Sequence, residues 1–144
     1  MKKVLVVIFL ASIFYKANAQ KSINVADTIV VGSIEKSCPG GFAAFNLYIV
    51  KNVRPPAIAY ENRKVGTTYV SFIIEPDGSV SHVCTILDAG SGMDEEVVRV
   101  INSSNNWLPA TIDNKPVRSF CRASVRFFAD YDKQLRWVRA EKID

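Results

Sequence analysis

Few residues in this chain of 144 are of a type that does chemistry on a substrate. His82 is the one histidine, and Cys84 stands two positions from it. A zinc site needs three or four such ligands, and nothing nearby completes the set. The cysteines are Cys38, Cys84 and Cys121. A thiol becomes a nucleophile when a neighbouring base or cation draws off its proton, and no histidine is placed to do so. Asp94-Glu95-Glu96 is a run of three carboxylates. General acid–base work needs partners across a cleft, whereas carboxylates opening a helix are accounted for by the positive end of its dipole. No glycine-rich phosphate loop, serine elbow or paired metal motif is present. The expectation is a protein that is not an enzyme and needs no cofactor or metal.

The pattern that points to recognition lies near the C-terminus. Val117 to Ala129 alternates as a strand does. Val117, Ser119, Cys121, Ala123, Val125 and Phe127 form one face, expected in the core. Arg118, Phe120, Arg122, Ser124, Arg126 and Phe128 form the other, which is solvated or partner-facing. At a sheet edge such a strand offers unpaired backbone groups to another chain, or is guarded by its charges against that pairing. Three arginines favour an acidic segment, although an exposed ion pair contributes only about 0–1 kcal/mol.

The elements that position this strand are legible upstream. Thr28 to Ile34 is β-branched and short, and Ser37-Cys38-Pro39-Gly40-Gly41 ends it. Phe42, Phe45, Ile49 and Val53 recur at helical spacing with Tyr48 beside them, until Arg54-Pro55-Pro56 stops the helix. Ala57 to Lys64 connects. Val70, Phe72 and Ile74 alternate within Thr67 to Glu75, Pro76-Asp77-Gly78-Ser79 turns, and Val80 to Leu87 returns, a β-hairpin. Met93 to Ser103 reads as a second helix with Val97, Val98 and Ile101 inward. Trp107 is expected as a core plug beneath it, and Asp113-Asn114-Lys115-Pro116 as a turn. The order predicts a two-layer α+β domain, two helices on a three-stranded antiparallel sheet, with room for an extra short N-terminal strand. A right-handed crossover puts the second hairpin strand and the 117–129 strand on either side of the first, so that the 117–129 strand is an edge.

Composition narrows the setting. Nearly half the residues are apolar and about a fifth charged, a globular balance. Lys2 and Lys3 precede an apolar run from Val4 to Phe14, and Ala17-Asn18-Ala19 is a small-x-small cleavage site. The run is shorter than the roughly 20 residues a spanning helix needs. Residues 1–19 are therefore expected to be a cleaved signal peptide and the product periplasmic, with a retained inner-membrane anchor as the alternative. Without Lys2, Lys3 and Lys16 the remainder has 15 basic and 14 acidic side chains, so no nucleic acid is expected as partner. The divisions are 1–19 signal, 20–37 leader, 38–129 domain and 130–144 charged tail. In an oxidising compartment three cysteines allow at most one bridge. Cys84 and Cys121 lie on opposite faces of non-adjacent strands, too far apart for one. Cys38, on a loop, can meet Cys121 or Cys84, or all three stay free.

Several motifs recur in one order: Pro39-Gly40-Gly41 before Tyr48-Ile49; Asn52-Val53-Arg54-x-Pro56; Gly66 with Tyr69-Val70-Ser71-Phe72; Pro76-Asp77-Gly78-Ser79-Val80; Met93-Asp94-Glu95-Glu96 with Arg99-Val100-Ile101; Trp107-x-Pro109-Ala110; and Lys115-Pro116-Val117 with Val125-Arg126-Phe127. In this order and spacing residues 38–128 resemble the C-terminal domain of TonB-type energy transducers. The resemblance implies an α+β fold and capture of the TonB box, the N-terminal segment of a TonB-dependent outer-membrane receptor, by β-strand addition at an edge. It implies partner-binding roles for Pro55, Pro56, Arg118, Phe120, Arg122, Ser124, Arg126 and Phe128, and an indirect link to inner-membrane motor proteins. The chain departs from the complete transducer in showing no long proline-rich spacer, and in carrying Pro55-Pro56 where the family has Tyr-Pro. The alternative is an exported adaptor that self-associates, as a homodimer, through the same edge.

Overall fold

The computed structural model describes residues 28–129 and 137–143. The signal-peptide expectation for 1–19 falls outside these residues. In chain order the elements are β1 (Ile29–Val31), α1 (Ile34–Ser37), α2 (Gly41–Asn52), α3 (Ala57–Glu61), β2 (Gly66–Ile74), β3 (Val80–Leu87), α4 (Met93–Asn102), β4 (Ala110–Ile112), β5 (Lys115–Phe127) and β6 (Val138–Glu141).

Apolar periodicity builds the layers as expected. Phe45 and Ile49 of α2 and Val53 beyond it are buried, with Phe42 and Tyr48 half-buried beside them. On α4, Met93, Val97, Val100 and Ile101 turn inward. Thr68, Val70, Phe72 and Ile74 of β2 and the odd residues of β5 from Val117 to Phe127 complete the core. Trp107 plugs it, its ring 5.3 Å from Phe72 and 5.9 Å from Phe45, with Nε1 donating to Ser104 Oγ at 2.9 Å. The hairpin turn meets this plug. Gly78 has φ +80, and a Cβ there would lie 2.6 Å from the Trp107 carbonyl oxygen, so only glycine closes the turn against the tryptophan.

The sheet order β1-β5-β2-β3 places β5 and β3 on either side of β2, as the crossover rule requires. Two expectations are corrected. The sheet is mixed and has six strands, and the described residues contain four helices, not three strands and two helices. More consequentially, β5 is not an edge. One side runs along β2 from Ile74↔Ser119 to Gly66↔Phe127. The other is covered in two pieces: β1 pairs parallel with Arg118–Phe120 and β6 antiparallel with Ser124–Phe127, while β4 pairs antiparallel with the start of the strand at Lys115–Val117.

The cause is a stretch of the tail read as charge alone. Val138 and Ala140 alternate inward between Arg139 and Glu141, and with Trp137 they are buried. The Trp137 ring lies 5.7 Å from Phe127. Asn46 of α2 accepts the Ala140 N–H on Oδ1 at 2.8 Å, so the helix layer clasps the tail strand. At the other end Gly32 lets β1 come close, since a Cβ there would stand 2.7 Å from Cys121 Sγ.

Candidate functional site

The outward rim of β5 is defined by its backbone. The Phe120 carbonyl, turned away from β2, accepts the Gly32 N–H at 2.8 Å. Strand alternation places Arg122, Ser124 and Arg126 on that same rim. Ser124 faces Glu141 and Arg126 faces Arg139 in the β5–β6 register, and the Phe128 N–H donates to the Trp137 carbonyl at 2.7 Å. Only Arg122 stands between the last β1 partner and the first β6 partner. A cavity of about 250 Å³ opens at this notch, lined among others by Val31, Glu35, Phe42, Phe120, Arg122 and Lys142.

Along the solvent face the rim is cationic and aromatic. The guanidinium carbons of Arg126 and Arg139 lie 5.4 and 4.7 Å from the centre of the Phe128 ring. Glu141 Oε1 stands 3.6 Å from Arg126 Nη1 and 3.5 Å from Arg139 Nη2. Ser124, between Tyr69 of β2 and Glu141 of β6, is buried, and its Oγ has no hydrogen-bond partner among the described residues.

The other expected residues are dispersed. Arg118 is half-buried and already held: its Nε and Nη2 donate to the two carboxylate oxygens of Glu75, each at 3.0 Å. This guanidinium, with the Ser81 hydroxyl donating to the same carboxylate, lowers the Glu75 pKa. His82 joins the end of the chain, its Nδ1 2.9 Å from Ser81 Oγ. Pro55 and Pro56 precede α3, where Pro56 packs on Gly92 at the start of α4. They belong to the joint between helices and not to β5.

That joint shows what the Asp94-Glu95-Glu96 run also does. Glu96 Oε1 accepts the Arg54 N–H at 2.7 Å and Arg99 Nη2 at 2.6 Å, while Arg99 Nη2 donates to the Asn52 carbonyl at 3.0 Å. Burial pushes the Glu96 pKa up, but Arg99 and the Arg54 N–H outweigh it and leave it lowered. Glu96 thus clasps the end of α2 to α4.

The three cysteines are unbridged in this structure: Cys38 half-buried, Cys84 exposed and Cys121 buried. Burial raises the Cys38 and Cys121 pKa values, which makes their thiolates scarce near neutrality.

The topological edge at the far side of the sheet is β3, and it is a poor template. Its register against β2 shifts twice, between Tyr69 and Val70 and between Ser71 and Ile73, and His82 sits at φ 51. Such irregularities twist an edge away from regular pairing. The regular rim is the one that β6 covers.

Arg139, Glu141 and Asn46 line this rim without a role expected from the sequence, and Trp137 was legible only as a residue of the charged tail. The signal for β6 was the two-residue alternation of Val138-Arg139-Ala140-Glu141. For Asn46, a polar residue among apolar helix positions, there was none.

A family model for the Gram-negative bacterial TonB protein C-terminal matches residues 51–128, just over half the chain. Searches of curated proteins and of solved structures gave no match. The matched region ends at Phe128, so it contains β5 but neither β1 nor β6.

Proposed function

We propose, from the premise that this chain belongs to the TonB C-terminal family, that it is a periplasmic module capturing an extended segment of an outer-membrane receptor by strand addition to β5. A TonB-like role in envelope transport follows from the family. The capture step is a proposal about this chain. One observation carries it: β1 and β6, which cover most of the β5 rim, lie outside the region shared with the family. The shared domain offers a regular rim, and this chain's own flanking segments occupy it. Receptor binding is then an exchange in which the incoming strand takes the place of β6.

The interaction uses backbone hydrogen bonds for affinity and alternate side chains for selection. No covalent step is involved. Energy coupling requires that a pull reach the bound segment, through this chain or through a partner joined to inner-membrane motor proteins.

Titration of the chain with synthetic N-terminal segments of TonB-dependent receptors tests the exchange. Binding is expected, and Trp137→Ala should strengthen it by about tenfold or more, because losing the buried packing of Trp137 on Phe127, a side-chain contact of the tethered segment, eases the release of β6. Binding that is indifferent to Trp137→Ala, or no binding, contradicts the exchange.

A further inference from the structure

Resting on the reading of β5 as a receptor-binding rim, we infer that β6 is a mismatched resident strand, and that the partner's segment is selected over it by an acidic side chain opposite Arg126. The mismatch is in the register. Arg126 faces Arg139 directly across the β5–β6 pair, and like charges so placed oppose pairing. Two features restrain the repulsion without removing it. Both guanidiniums lie over Phe128, at 5.4 and 4.7 Å from its centre, and both share one oxygen of Glu141 at 3.6 and 3.5 Å. Charge-assisted hydrogen bonds are shorter, about 2.7–2.9 Å, so that carboxylate is divided between two cations and fully engages neither.

A second sign of poor fit lies two pairs further on. Ser124 faces Glu141 of β6 and Tyr69 of β2, is buried, and has an Oγ with no hydrogen-bond partner among the described residues. Beyond it Arg122 is exposed and has no ion-pair partner among the described residues. Of the three arginines on this stretch, two share one carboxylate and the third has none.

The inward side of β6 fits well. Val138 and Ala140 are small, apolar and buried opposite Phe127 and Val125. The geometry therefore describes the better ligand. It is an extended segment with small apolar residues at alternate positions. A carboxylate faces Arg126 where β6 presents a guanidinium, and a hydrogen-bonding side chain reaches Ser124. β6 meets the apolar requirement and fails the charge requirement. Such a strand holds the rim closed to non-specific pairing and yields to an acidic one.

The test uses three synthetic peptides of residues 136–143, one unchanged, one with Arg139→Gln and one with Arg139→Glu. Each is titrated into the chain while amide hydrogen exchange is followed at 138–141. All three compete with the same tethered strand, so the ratio of their affinities reports the position-139 side chain alone. The glutamate peptide should bind about tenfold tighter than the unchanged one, with glutamine between, and the gap should narrow at high salt. Arg126→Glu in the chain should reverse the order. Equal binding of all three, with β6 released, overturns the charge selection and leaves strand exchange standing. If no peptide binds or speeds exchange at 138–141, strand exchange at this rim falls and the selection with it. The wild-type series decides the question even if the Arg126 variant folds poorly.

Discussion

Glu96 shows what a single side chain does for the frame of the site. It accepts the Arg54 N–H and the Arg99 guanidinium, and so joins the end of α2 to α4. Its pKa and that of Glu75 are lowered in the folded chain. A carboxylate depressed in this way contributes stability above its unfolded value of about 4.3, and the contribution is lost as pH falls through the lower folded value. Stability in urea should therefore drop on acidification below about pH 4, and Glu96→Gln should flatten that drop while lowering stability at pH 7. An unchanged acid slope in Glu96→Gln would remove Glu96 from this role. The sequence made the carboxylate run legible as a helix start, because the dipole argument needs only local spacing. It could not reveal the clasp, since Arg54 lies 42 residues away.

At the scale of elements, legibility followed length. The β2–β3 hairpin was readable because alternation over the nine residues of β2 leads into turn chemistry at Pro76-Asp77-Gly78-Ser79 and a return of eight residues, half of them β-branched. The helices 41–52 and 93–102 were readable because their buried residues recur over several turns. β4, α1 and α3 went unseen, being three, four and five residues long, and α1 takes Ile34 from the strand expected over Thr28 to Ile34. β6 has four residues, and the charges around it masked Val138 and Ala140. The error had a structural cost, for the edge status of β5 depended on what the tail does. Because Trp137 is buried against Phe127, Trp137→Ala should destabilise the chain by about 3–5 kcal/mol in thermal or urea unfolding. A tail strand lying loosely on the surface would show less than 1 kcal/mol. The arginine face lies on the side of β5 away from the core, and only Ser124 on it is buried, between β2 and the strand that was missed.

At the scale of the molecule, a domain shared with the TonB C-terminal family is framed by segments of this chain that lie outside the matched region. Helices fill one face of the sheet, the bulged β3 closes one margin, and β1 and β6 occupy the rim on the other. Among the described residues no helix is long and apolar enough to cross a membrane. Recognition by such a molecule is a competition between a tethered strand and an incoming one. The tethered strand has the advantage of high effective concentration, and a better-matched strand must overcome it. The most direct measurement is amide hydrogen exchange across the chain with and without a saturating receptor N-terminal segment. Strand exchange predicts that amides 138–141 lose protection while Arg122, Ser124 and Arg126 keep or gain it. Bound segment with undiminished protection at 138–141 would contradict it, because the receptor would then be held somewhere other than the β5 rim.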